Sequence, residues 1–175
     1  MSAYAHEGMG GRVVGARFST DVIYRKIPMD LNLARTTLEQ GITFVRNAGL
    51  QVVELRPGYV KCLMPFRNNG NHIGSMYAGA LFTVAEIPGG ALFLSSFDTS
   101  KYFPIVKALY IDFLKPAKSD VTVEISMATE QIAATQAEAD SNGKAEFVLK
   151  GELKDSAGVV VAESHGVYQI RKIIR

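Results

Sequence analysis

A chain of 175 residues has the length of one domain, and 47% hydrophobic against 21% charged residues is ordinary globular composition with material for a sizeable core. Nineteen basic and 17 acidic residues give a net charge of +2 with no basic cluster, which argues against a nucleic-acid binder. The single cysteine, Cys62, excludes an intrachain disulfide or a cysteine metal cage, and three scattered histidines (His6, His72, His165) argue against a histidine metal site.

Residues 1–29 carry scattered charges and no continuous apolar stretch, so no secretory signal is expected and a soluble, cytoplasmic protein is the default. Poor in apolar periodicity, this segment is expected to be a partly disordered extension ahead of one domain over 30–175. From 30 to 49 the spacing of Leu31, Ala34, Leu38, Ile42 and Val45 predicts one amphipathic helix, capped by Asp30 and ended by Gly49. A hairpin follows, 51–56 and 59–66 around Pro57-Gly58. A polar loop, 67–74, leads into a very apolar helix over 75–96, with a kink expected at Pro88-Gly89-Gly90.

That helix imitates a membrane span but carries Glu86, and an acid at the bilayer centre costs roughly 2.5–3.5 kcal/mol. A core helix is the better reading. Beyond it lie four strand-like segments. Ile105, Lys107, Leu109, Ile111 and Phe113 are expected to share one face, and Val121, Val123, Ile125 and Met127 alternate with polar residues. Residues 132–139 are a weaker candidate that continues this second strand. Asn142-Gly143 reads as a hairpin turn before Ala145, Phe147, Leu149 and Leu153. A turn at 155–158 precedes a last strand over 159–170. An α+β domain follows, its antiparallel sheet curved around the apolar central helix, with an extra N-terminal helix.

The run Asn71-His72-Ile73-Gly74-Ser75-Met76-Tyr77-Ala78-Gly79-Ala80-Leu81-Phe82, continuing to Ala85-Glu86, resembles the central-helix start of hotdog-fold thioesterases of the phenylacetate-degradation type. Those proteins place an Asn six residues before a His-Gly-Gly and an acid nine residues after that His. Asn71, Ala78-Gly79 and Glu86 fall on the Asn, the Gly pair and the acid; Tyr77 stands where the His would be. Phe113-Leu114-Lys115-Pro116-Ala117 is similar to the strand-end motif of the same proteins. The likeness spans about residues 30–171 and includes a thioesterase-like subgroup with an N-terminal helix and a comparable helix start.

The resemblance implies a hotdog fold and a homodimer or dimer of dimers. It also implies an acyl-CoA or other acyl-thioester substrate, bound between subunits and hydrolysed without metal or other cofactor. Glu86 is then the base or the nucleophile. The backbone N–H groups of Tyr77, Ala78 and Gly79 form the oxyanion hole at a helix N-terminus. Asn71 orients water or the carbonyl, or else forms an Asx turn in its asparagine-rich loop. Met76, Phe82, Tyr77, Ala78 and His72 contact substrate, and Lys107 and Lys115 are candidates for coenzyme A phosphates. Two other functions stay open. Tyr77 in place of His suits a non-catalytic acyl-thioester or lipid binder, and a dehydratase would need an acid–His pair that the Asn71 region lacks.

Overall fold

In a computed structural model, residues 30–174 form four helices and one six-stranded sheet. The expected disorder of 1–29 lies outside the described residues.

Asp30 caps α1 (Leu31–Gln40), its carboxylate accepting from the Asn32 N–H at 2.9 Å. The single helix expected over 30–49 is instead two. At Gly41 a methyl group would lie 2.4 Å from the Thr37 carbonyl oxygen, and Ile42 is extended (φ −107°, ψ 114°) before α2 (Thr43–Ala48) begins. The apolar spacing ran on across this break because both helices bury residues in the same core, Ala34 and Leu38 from α1 and Val45 from α2. Gly49 ends α2 in the left-handed region at φ 73°, as expected.

Strands β1 (Gln51–Arg56) and β2 (Tyr59–Met64) pair across Pro57-Gly58, with Gly58 at φ 74°. After the loop comes α3 (Ala78–Ser96), which runs through Pro88 without interruption and begins three residues later than expected. Thirteen of its 19 residues are buried, so its apolar length serves the core. At Gly89 an added methyl would sit 1.9 Å from the Tyr168 ring; that ring stacks on Phe147 and its hydroxyl donates to the Glu86 carbonyl at 3.2 Å.

The remaining strands are β3 (Tyr102–Phe113), β4 (Val121–Ser126), β5 (Lys144–Asp155) and β6 (Val160–Lys172). The sheet order is β1-β2-β4-β5-β6-β3, every pair antiparallel, leaving β1 and β3 as edges. With α3 packed against all six strands, this is the hotdog architecture.

Two strand expectations are corrected. Residues 132–139 do not continue β4; they belong to α4 (Thr129–Asn142). Its four alanines with Glu and Gln are good helix formers, and Thr135 and Ala139 are buried four residues apart beside half-buried Ile132. Asn142-Gly143 is therefore no hairpin turn: Gly143, at φ 75°, closes α4 by donating to the Ala139 carbonyl at 2.9 Å. In β3 the pairing with β6 slips between Val106 and Ala108. Leu109 and Ile111 pair with Gly166 and Ser164, on the face of core-facing Tyr168, whereas Ile105 pairs with Gln169 on the opposite face. The five residues expected on one face are thus split by a bulge.

Candidate functional site

The loop ahead of α3 is held from both sides. Asn69 donates from Nδ2 to the Ala48 carbonyl at 2.7 Å and to Pro65 at 2.8 Å, and its own carbonyl accepts from Tyr77 N–H at 2.7 Å. The Met76 N–H donates to the Ala117 carbonyl at 2.7 Å, tying the helix start to the Phe113–Ala117 motif. These bonds spend the N–H groups of Met76 and Tyr77, so Tyr77 contributes no free backbone donor. The Tyr77 carbonyl accepts from Ala80 and Leu81. The N–H groups of Ala78 and Gly79 have no acceptor among the described residues, as the first turn of a helix requires. Ala78 is exposed and Gly79 half-buried, so both donors face outward at the positive end of the helix dipole.

Tyr77 is 57% exposed, and a methyl on Gly79 would come within 2.4 Å of its ring. The glycine thus lets the tyrosine ring lie over the helix start. Asn71 makes the Asx turn: its Oδ1 accepts from Ile73 N–H at 3.0 Å and Ser75 N–H at 3.1 Å, while Nδ2 donates to Ser75 Oγ at 3.0 Å. One Nδ2 hydrogen remains for a ligand. His72 is exposed and Met76 is buried.

Glu86 is half-buried, and no described residue hydrogen-bonds or ion-pairs with its carboxylate. Burial raises its carboxyl above the ordinary 4.5. Nearby, burial first and then the Glu86 charge raise the Tyr168 phenol, which stays protonated as a donor.

The site residues divide between two depressions flanking the start of α3. One, about 300 Å³, is lined by Asn71, Met76 and Ala78 with Lys115. The other, about 450 Å³, is lined by Gly79, Phe82, Thr83 and Glu86 from α3, by Ile42 just ahead of α2, and by Phe44 and Val45 from α2. Tyr77 stands at the N-cap between residues of the two, and His72 lines neither. Lys107 is engaged by Glu146, which leaves Lys115 as the cation beside Asn71. The α2 wall was missed because Ile42 and Val45 read as one stripe of a longer helix; Gly41 inside that stripe was the available signal. Among the described residues, no cluster of His, Cys, Asp and Glu could hold a metal, and buried Cys62 has its thiol pushed up to about 12, chiefly by burial.

The domain of unknown function DUF4442 matches residues 32–169. A crystal structure of PA5026 from Pseudomonas aeruginosa, a protein of unknown function called a probable thioesterase, shares 51% identity over 83% of this chain and 98% of its own, with a TM-score of 0.80. The PaaI protein of the Escherichia coli phenylacetic acid degradation operon matches at 16% identity, covering 81% of this chain and 94% of its own, with a TM-score of 0.55. A Haemophilus influenzae thioesterase matches at 12% identity, 84% and 94% coverage and a TM-score of 0.64. No curated protein sequence matches this chain.

Proposed function

The chain belongs to the DUF4442 family of hotdog proteins, and from that membership we propose that it is an acyl-CoA thioesterase whose site is completed by a second copy of itself. The observation that carries the reading is Glu86: a carboxylate inside an apolar helix, desolvated, and without a partner among the described residues. Such a group is poised to take a proton from water, or to attack directly, as thioester hydrolysis requires. The two free N–H groups at Ala78 and Gly79 supply the oxyanion donors. The thioesterase name of the 51%-identical Pseudomonas protein supports the same chemistry.

These two parts cannot meet within one chain. Glu86 lies seven residues beyond Gly79, about 10 Å along the helix axis, and an oxyanion held by the helix start sits about 3 Å further out. A base must reach its proton directly or through one water, which this separation does not allow. Two α3 helices lying antiparallel side by side in a two-fold dimer would bring each Glu86 to the other helix start. Among the described residues β3 is an edge strand, and that edge, with Val106, Tyr110 and Phe113 exposed, offers the surface for such pairing.

Tyr77 lying over Gly79 favours a second reading, a protein that binds acyl thioesters without hydrolysing them. Thiol release from a panel of acyl-CoA esters separates the two. Thioester-dependent thiol release above the uncatalysed rate supports the enzyme, while saturable acyl-CoA binding with no release establishes the binder instead.

A further inference from the structure

The larger depression is an open groove between α2 and α3 with a distinct chemical character. Its α3 wall is one helical stripe, spaced i, i+3, i+4, i+7 from Gly79 to Glu86. Thr83 does not make that wall polar, since its hydroxyl donates to the Gly79 carbonyl at 2.7 Å. Facing it, Ile42 and Phe44 are 49% and 60% exposed although both are large and apolar. Among the described residues no cation lines the groove; Lys115 lies in the other depression. The position of α2 is built in by the break at Gly41-Ile42, the left-handed Gly49 and the Asn69 bond to the Ala48 carbonyl.

We propose that this groove is an acyl-chain slot, that α2 is its wall, and that Phe44 sets its preference for chain length. The proposal rests on the thioesterase reading and names the substrate class of that site. With the acyl carbonyl at Glu86, the chain runs back along α3 toward Gly79. That path is about 10 Å, and at bond lengths near 1.5 Å it accommodates a straight chain of roughly eight carbons. An apolar groove with one acid and no cation selects a saturated chain over the phosphate-bearing carrier, and exposed apolar surface beside a cavity marks a surface meant to be covered. Shortening Phe44 removes apolar contact from the chain.

The experiment compares wild type, Phe44→Ala and Leu33→Ala on butyryl-, octanoyl- and dodecanoyl-CoA, with octanamide, which has the same chain but no charge to be repelled by Glu86, titrated in parallel by calorimetry. Leu33 is 57% exposed on α1 and lines neither depression, so its variant is the control. For Phe44→Ala, kcat/KM on octanoyl-CoA is expected to fall about tenfold or more while butyryl-CoA changes no more than roughly threefold, the scale on which methylene contacts discriminate. An equal loss on all three esters, an unchanged profile, or a Phe44→Ala chain whose scattering mass drops relative to wild type overturns the slot; the last outcome makes Phe44 a contact between copies rather than a contact of the acyl chain. If wild type releases no thiol, the thioesterase reading fails and octanamide decides the slot: binding that Phe44→Ala weakens supports it, and no binding by wild type overturns it.

Discussion

Glu86 shows how much one residue can carry. Its folded-state carboxyl titrates above the ordinary 4.5 because burial disfavours the charge. Between those two values the folded chain holds more protons than the unfolded one, so stability falls as pH rises through that window and the full penalty remains at neutral pH. Glu86→Gln should therefore raise the melting temperature at pH 7, with the gain vanishing in acid below the ordinary carboxylate range. Thermal melts of both proteins across pH check this; a gain of equal size at every pH would contradict a desolvated carboxylate. If Glu86 is the base or nucleophile, the same variant should lose turnover by roughly 10²–10⁴. At the helix start, Ala78→Pro removes one N–H where proline is well tolerated, the first position of a helix, and Tyr77 already has the extended backbone (φ −64°, ψ 136°) that a following proline needs. It should keep the fold by circular dichroism and lower kcat by about 10²–10³, the usual worth of one oxyanion donor.

At the scale of elements, legibility followed the strength of local signals. The β1-β2 hairpin, Asp30 as a cap and Gly49 as a helix end were readable because each is set by a few neighbours. The helix α4 was not, because its alanines and its single half-buried isoleucine make a weak stripe, and Asn-Gly serves a helix end as well as a hairpin. The β3 bulge was hidden for a different reason: a one-residue slip leaves composition unchanged and appears only in the partner strand. In the site, Glu86 was legible as the lone charge of an apolar helix and Gly79 from its place in the Asn71–Glu86 motif. The stripe they share with Phe82 and the α2 wall opposite emerged only from the structure, the wall depending on a helix break that apolar spacing did not reveal. Two glycines test these assignments. Gly143 has open space around it but φ 75°, so Gly143→Ala should cost about 1–2 kcal/mol from backbone conformation alone. Gly89 is blocked by the buried Tyr168 ring, and Gly89→Ala should cost about 1–3 kcal/mol by overpacking. Urea denaturation of both measures the difference, and a neutral Gly89→Ala would mean that α3 and β6 do not approach as closely as described.

For the whole molecule, the central claim is that the site belongs to two chains. Light scattering at micromolar concentration should then give at least twice 19.0 kDa, and a stable folded monomer would exclude the shared site. The more direct measurement mixes Glu86→Gln with Ala78→Pro, each inactive alone, in equal amounts under conditions that exchange subunits. In a two-fold dimer with shared sites, half of the mixed population is heterodimer, and each heterodimer rebuilds one intact site from the unaltered Glu86 of one chain and the unaltered helix start of the other. Acyl-CoA hydrolysis should recover to about a quarter of the wild-type rate. If exchange is complete and activity stays at the level of the separate variants, Glu86 and the helix start do not act across two chains, and the shared-site account is wrong.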